Sequence, residues 1–85
     1  MNRIYILGEI LSVSQMHFDY YNKLKAYFKF SVSDMYGNVF EWVVLEKRMD
    51  ILKTFKMLNM KKENKKMALV ICSLEDGKYV VCDIY

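Results

Sequence analysis

One helix-like segment stands among strand-like segments, and its place in that order most constrains what the chain can fold into. After Asp50 the apolar residues recur at helical spacing, whereas elsewhere short runs alternate or cluster as they do in strands. The chain has 85 residues, 54% of them apolar, and no proline. It is too hydrophobic for a disordered chain and too short for two domains, so we expect one folded domain over residues 1–85.

The first half of the chain predicts two strands separated by a loop. The first strand covers residues 3–13 and contains Gly8, a residue that often marks a bulge or a sharp coil inside a strand. Residues 14–25 lose this periodicity and predict a loop. Residues 26–33, "AYFKFSVS", alternate as a half-buried strand does, with three residues on the core side: Phe28, Phe30 and Val32.

The middle of the chain predicts a third strand and the helix. The turn residues "DMYGN" at 34–38 should join the second strand to a third at 39–47 as an antiparallel hairpin. Asp50 is a suitable N-cap for the helix, and Asn59 is a suitable end. The apolar stripe of this helix consists of Ile51, Leu52, Phe55 and Leu58.

The last two strands, at 67–74 and 79–85, should form a second hairpin around "EDGK". With a two-residue loop, Cys72 and Cys82 lie on opposite faces of this hairpin. With a loop one residue longer, they share a face but lie diagonally. Neither register favours a disulfide, and the spacing is not that of a zinc site, so we expect two reduced thiols in a cytoplasmic protein.

The element order is three strands, one helix and two strands. This order is typical of the OB-fold, so the predicted fold class is all-β with a small α component, a five-stranded OB-fold barrel with one helix between strands 3 and 4. The N-terminal run is too short for a membrane span and lacks a cleavage site. No catalytic or cofactor motif occurs, and His17 is the only histidine, so we expect no enzyme, no metal site and no cofactor.

Three quoted segments carry a resemblance to a known family. "MNRIYILGEI", "AYFKFSVS" and "EWVVLEKRMDIL" resemble, in this order, the first three strands and the helix entry of bacterial single-stranded DNA-binding proteins. Glu46 stands where that family usually has glycine, and "NMKKENKKM" where it usually has Lys-Gly. The family usually ends in an acidic tail that recruits replication enzymes, whereas this sequence stops at Tyr85, so the resemblance is to a tail-less member. It implies single-stranded DNA as a partner and leaves contacts with replication proteins open.

The resemblance implies a DNA-binding face on the second and third strands. If Val43 and Leu45 point into the barrel, Trp42 lies on the other face, where an unpaired base can stack on its indole ring. Alternatively, Trp42 lies in a subunit interface or under the helix, and the tyrosines at 20 and 21 are loop anchors. The candidate DNA-binding residues are Arg3, Tyr20, Tyr21, Lys23, Lys25, Tyr27, Lys29, Phe40 and Trp42.

The net charge of +3 permits an anionic partner without requiring one. The lysine-rich residues 53–66 are either a phosphate-attracting surface or a solvated helix end and loop. Tyr5 and Leu7 should face away from the core, which predicts a homo-dimer or homo-tetramer.

We therefore expect a protein that coats or organises single-stranded DNA, with little sequence preference, in replication, recombination or mobile-element transfer. The alternatives are a primosome-type accessory protein that binds single strands and a helicase, and a protein–protein adaptor that binds no nucleic acid.

Overall fold

The computed structural model describes residues 2–23, 25–46 and 49–85, which form a small, mostly β domain with one helix. The strands and the helix are β1 (Arg3–Val13), β2 (His17–Asp19), β3 (Lys25–Asp34), β4 (Val39–Leu45), α1 (Ile51–Glu63), β5 (Met67–Glu75) and β6 (Lys78–Ile84). A 3₁₀ turn at Tyr20–Asn22 follows β2.

All strands belong to one antiparallel sheet in the order β4-β3-β1-β5-β6. β2 adds a sixth, short strand that the sequence did not predict, because residues 17–19 pair with the first residues of β3. β1 and β2 follow one another along the same edge of β3. The sheet is open: β4 and β6 are its edge strands, with no ladder between them in the described residues.

The helix begins where the sequence predicted and continues four residues further. The Asp50 carboxylate accepts a hydrogen bond from the Lys53 backbone N–H at 3.2 Å, which confirms the N-cap. Asn59 does not end the helix, because its side-chain amide donates to the Phe55 carbonyl at 3.0 Å and leaves the backbone helical. The predicted end was wrong, and α1 continues to Glu63.

The helix ends in a Schellman motif that uses lysine where glycine is usual. The N–H of Lys66 donates to the carbonyl of Lys61 and the N–H of Lys65 to that of Lys62, at 2.9 and 3.3 Å. Lys65 therefore has φ +51°, in the left-handed region. Of the lysine-rich residues 53–66, those from Lys61 onward thus belong to the last turn of α1 and its C-terminal cap, whereas Lys53 and Lys56 lie in its first half.

Both predicted hairpins form. Asp34 Oδ1 accepts hydrogen bonds from the N–H groups of Tyr36 and Asn38, at 2.9 and 2.8 Å, in the β3–β4 turn. Desolvation raises the pKa of Asp34, but these hydrogen bonds and those from the Asn38 side chain and the Gly37 N–H together hold the pKa below its ordinary value. The carboxylate therefore shapes this turn.

The β5–β6 hairpin has the two-residue loop, with Glu75 opposite Lys78 and Cys72 opposite Val81. Both cysteines are free thiols, as predicted. Burial, and to a lesser degree the nearby Cys82 thiol, raises the pKa of Cys72 to about 11. A buried thiol with a raised pKa is a poor nucleophile, so Cys72 is a core residue.

The core lies between the inner face of the sheet and α1. Phe28, Phe30 and Val32 of β3 are fully buried, as the alternation predicted. Phe55 of α1 meets Phe28 edge to face, with ring centroids 5.2 Å apart. The other members of this core include Ile6, Ile10, Val44, Leu58, Val70 and Cys72.

The predicted faces of β4 were wrong. Val43 and Leu45 point outward, with 45% and 36% of their surface exposed, whereas Val44 is 1% exposed. Phe40 and Trp42 share the inner face with Val44 and pack against the core. Both faces of "VFEWVVL" are apolar, so alternation alone does not distinguish them. Within this segment, Glu41 is the one residue that distinguishes the two faces. It lies on the same side of β4 as Val43, and a charged side chain indicates the side that faces solvent.

Candidate nucleic-acid interface

A column of two cations and one aromatic residue runs along the outer face of β3. Because Phe28 and Phe30 face the core, alternation turns Lys25, Tyr27 and Lys29 outward. Both lysines are exposed and Tyr27 is half-buried. The column therefore presents a phenol ring between two ammonium groups. The sequence predicted Tyr27 and Lys29 on this face, whereas Lys25 was expected in the loop and is instead the first residue of β3.

Tyr27 has an aromatic neighbour that the sequence did not reveal. It pairs with His17 of β2 on one side and with Leu45 of β4 on the other. The His17 and Tyr27 rings stack, with centroids 5.1 Å apart and planes 20° from parallel. The three side chains form a strip across three strands. No local sequence signal marks His17, because only the pairing of β2 with β3 brings it to Tyr27.

Ser14 holds the chain before β2 against β3. Its backbone N–H donates to the Lys29 carbonyl and its hydroxyl accepts from the Lys29 N–H, both at 2.8 Å. These two bonds continue the ladder past the end of β1, so the chain reaches His17 already aligned with β3. The position of the histidine beside Tyr27 therefore follows from the two hydrogen bonds that Ser14 makes to the backbone of Lys29.

The turn after β2 carries two exposed tyrosines. The Asp19 carboxylate accepts from the Tyr21 N–H at 3.1 Å and caps the turn. Tyr20 is 74% exposed and Tyr21 fully exposed, so neither ring is anchored on the sheet. Lys23 closes the turn with a left-handed backbone (φ +59°) and is exposed. These three residues extend the strip beyond the end of the sheet.

The two remaining aromatic candidates lie on the opposite face. Trp42 is half-buried against Phe30, with ring centroids 5.4 Å apart, and stacks on Phe40 at 5.8 Å. Because Tyr27 points outward and Trp42 inward from paired strands, they cannot share one groove. The predicted joint platform of Tyr27 and Trp42 is therefore wrong. Trp42 packs inside the domain, against Phe30 of β3.

Arg3 is the candidate most distant from Tyr27 along the sheet. It pairs with Ser73 of β5, whereas the pairing of β1 with β3 begins at Gly8. The structure does not bring Arg3 to the strip.

Acidic residues also lie on or beside this face, and Asp19 of β2 pairs directly with Lys25. The Glu46 side chain accepts a hydrogen bond from the Ala26 N–H at 2.9 Å and continues the β3–β4 ladder past Leu45. This hydrogen bond gives Glu46 a structural role, which explains why an acidic residue lies beside a cationic surface. Glu41 is exposed on the outer face of β4 and pairs with Ser31, four residues along β3 from Tyr27. The positive part of the face is thus confined to the first half of β3 and the turn before it.

Within residues 2–23, 25–46 and 49–85, no group of three or more histidine, cysteine or acidic side chains is placed to hold a metal ion. No helix in the described part of the chain is long and apolar enough to cross a membrane. Comparison of the chain with protein-family models, curated proteins and solved structures finds no significant match.

Proposed function

We propose that this protein binds single-stranded DNA with little sequence preference, through the outer face of β2, β3 and β4. The observation that carries the proposal is the stacked His17–Tyr27 pair between Lys25 and Lys29. Aromatic rings beside cations bind single strands because bases of every identity stack on them while the cations neutralise phosphates. Such binding is sequence-tolerant, which suits a protein that coats or organises the strand during replication, recombination or mobile-element transfer.

The strand order supports an OB-fold interpretation. The five long strands occur with α1 between the third and fourth of them, so β3 and β4 would correspond to strands 2 and 3 of an OB-fold. OB-folds are partly open five-stranded barrels that bind oligonucleotides on this face and on the loop between strands 1 and 2. Here that loop would be the segment with β2 and the exposed tyrosines. We propose the same use of this face, as the resemblance to single-stranded DNA-binding proteins implies.

Replacing Tyr27 with alanine should weaken binding of oligo-dT by roughly 1 to 3 kcal/mol, or about 5- to 150-fold in Kd. The reason is the loss of one stacking surface. Tyr27→Phe keeps the ring and should stay near the wild-type affinity. Fluorescence anisotropy of a labelled oligo-dT at constant salt measures both variants.

Tyr79→Ala is the matched control, because Tyr79 is an exposed tyrosine on β6, outside the strip. Equal losses for Tyr27→Ala and Tyr79→Ala would contradict the proposed face. A wild-type protein that binds neither oligo-dT nor duplex would favour the adaptor function. Tighter binding in the presence of a replicative helicase would favour the primosome-type accessory function.

We also propose that the protein forms a homo-dimer or homo-tetramer through the outer face of β1 and β5. Tyr5 and Leu7 of β1 are 60% and 52% exposed and pair with Ile71 and Leu69. Tyr85 exchanges two backbone hydrogen bonds with Leu69, both 2.8 Å, and joins the same face. A continuous apolar patch of this kind is typical of a protein interface.

Leu7→Lys should lower the mass in solution, measured by multi-angle light scattering, to that of a single chain. The cause is the cost of burying an unpaired ammonium in an apolar interface. Leu52→Lys is the control: Leu52 is at least as exposed but lies on α1. A wild-type protein that is already monomeric would contradict the proposed oligomer.

A further inference from the structure

We propose that His17 is a pH-dependent phosphate contact of the strip, and that its protonated form binds the backbone of the same DNA strand. The inference rests on the proposed single-stranded DNA binding, to which it adds a dependence on pH. Histidine is the side chain that ordinarily changes charge between pH 5 and 8, and His17 is the only histidine of the chain. Protonation would add a third cation to the strip, beside Lys25 and Lys29.

His17 lies between the two lysines that are proposed to neutralise phosphates. It pairs with Tyr27, and Lys25 and Lys29 stand two residues before and two residues after Tyr27 on the same face of β3. Each lysine is therefore a diagonal neighbour of His17, with roughly 7 to 8 Å between Cα atoms. A single strand that contacts both ammonium groups passes over the imidazole.

The imidazole ring is accessible and has no other polar role in the described part of the chain. The His17 side chain is exposed, and it stacks on Tyr27 without making a hydrogen bond to any described residue. Stacking uses one face of the ring, so Tyr27 leaves the two nitrogens at the ring edge unblocked. Both nitrogens donate when the imidazole is protonated, and hydrogen bonds from a charged donor to a phosphate are stronger than neutral ones.

The groups of β3 that face His17 act on its charge in opposite directions. Lys25 and Lys29 oppose a further cation by repulsion. The Tyr27 ring favours one, because a cation within about 6 Å of an aromatic centroid is attracted to the ring face. The centroids of His17 and Tyr27 are 5.1 Å apart, inside that limit.

The charged groups of the neighbouring elements complete this balance. On β2, Asp19 lies on the same side as His17, because it follows two residues later in the strand. The exposed Lys23 lies further along the turn, and on β4 the nearest acid is Glu46, whose side chain is bonded to the Ala26 N–H. A bound phosphate adds an anion beside the imidazole. By linkage, DNA binding and protonation of His17 therefore favour each other.

The test measures oligo-dT binding at about pH 7.5 and about pH 5.5, on either side of the ordinary titration of histidine. Neither thymine nor a phosphodiester changes charge in this interval. The contact should be present at the lower pH and lost as the pH rises. Wild-type protein should therefore bind about 2- to 5-fold more tightly at the lower pH, as one exposed ion pair would give. The magnitude of the salt slope should also be larger there, by up to ~0.7.

His17→Phe keeps a ring that can stack on Tyr27 but cannot be protonated, so its affinity should be the same at both pH values. Lys25→Gln is the matched control, because it removes a permanent cation of the strip. It should weaken binding at both pH values and keep the wild-type ratio between them. Thermal unfolding at each pH checks that both variants are folded.

Equal wild-type affinities at the two pH values would overturn the inference and leave the proposed strip intact. The wild-type ratio persisting in His17→Phe would overturn it as well, because another group would then be the one that titrates. Failure of the wild-type protein to bind oligo-dT at either pH would instead contradict the proposed strip itself.

Discussion

Gly8→Ala should destabilise the domain by about 3 kcal/mol, one of the largest losses expected for adding a single methyl group. A Cβ atom built on Gly8 would lie 2.3 Å from the Ser33 carbonyl oxygen and 2.5 Å from Val32 Cγ1. The oxygen belongs to the backbone of the neighbouring strand, so it cannot rotate away as a side chain can. Relief requires β1 and β3 to separate where they pair.

Urea unfolding of Gly8→Ala, followed by far-ultraviolet circular dichroism, measures this loss. Gly37→Ala is the control with the same chemical change. Nothing lies within 4 Å of a Cβ at Gly37, but its φ of +82° is unfavourable for alanine, so about 1 kcal/mol is expected there. If Gly8→Ala destabilises the domain no more than Gly37→Ala does, β1 and β3 do not approach each other at Gly8 as closely as the structure shows.

The role of Gly8 could not be predicted from the sequence alone. A glycine inside a strand predicted a bulge or coil at that position, but the register shift lies at Leu11, between Ile10 and Ser12. Gly8 is needed instead for close approach of a neighbouring backbone. A glycine in the sequence is compatible with either role, and only the pairing of distant strands shows which of the two applies.

Locally encoded features were predicted well. The Asp76–Gly77 loop has positive φ at both positions, so the Asp-Gly pair determined the register of the hairpin and the separation of the cysteines. Asp50 likewise marked the helix start, because its side chain bonds a backbone group three residues away. In each case the interacting atoms are close in sequence.

Features that depend on distant pairing were not predictable in the same way. β2 exists because residues 17–19 meet β3, and the His17–Tyr27 stack follows from that pairing. The candidate site was therefore half predicted: the lysines and tyrosines from 20 to 29 fall on or beside one strip. Trp42 and Phe40 fall on the other face, because apolar residues line both sides of β4.

Trp42 lies on the inner face of β4, opposite to the predicted one. Trp42→Ala should therefore change the free energy of unfolding more than the free energy of DNA binding. Its ring contacts those of Phe30 and Phe40 and packs against the core. Full truncation of a buried aromatic costs about 3 to 5 kcal/mol, and a half-buried one should cost slightly less, about 2 to 3. Oligo-dT affinity of the folded protein should fall less than it does for Tyr27→Ala.

Val43→Ala is the matched control for Trp42→Ala, because the two residues are adjacent and alternate between faces. Val43 is exposed, and its truncation should cost under about 1 kcal/mol. Denaturant unfolding of both variants, with oligo-dT titrations under conditions where each is folded, separates the two roles. If Val43→Ala were the more destabilising change and Trp42→Ala mainly weakened DNA binding, β4 would present its tryptophan outward. The strip would then be centred on Trp42 and not on the His17–Tyr27 pair, because a base stacks only on a ring that reaches solvent.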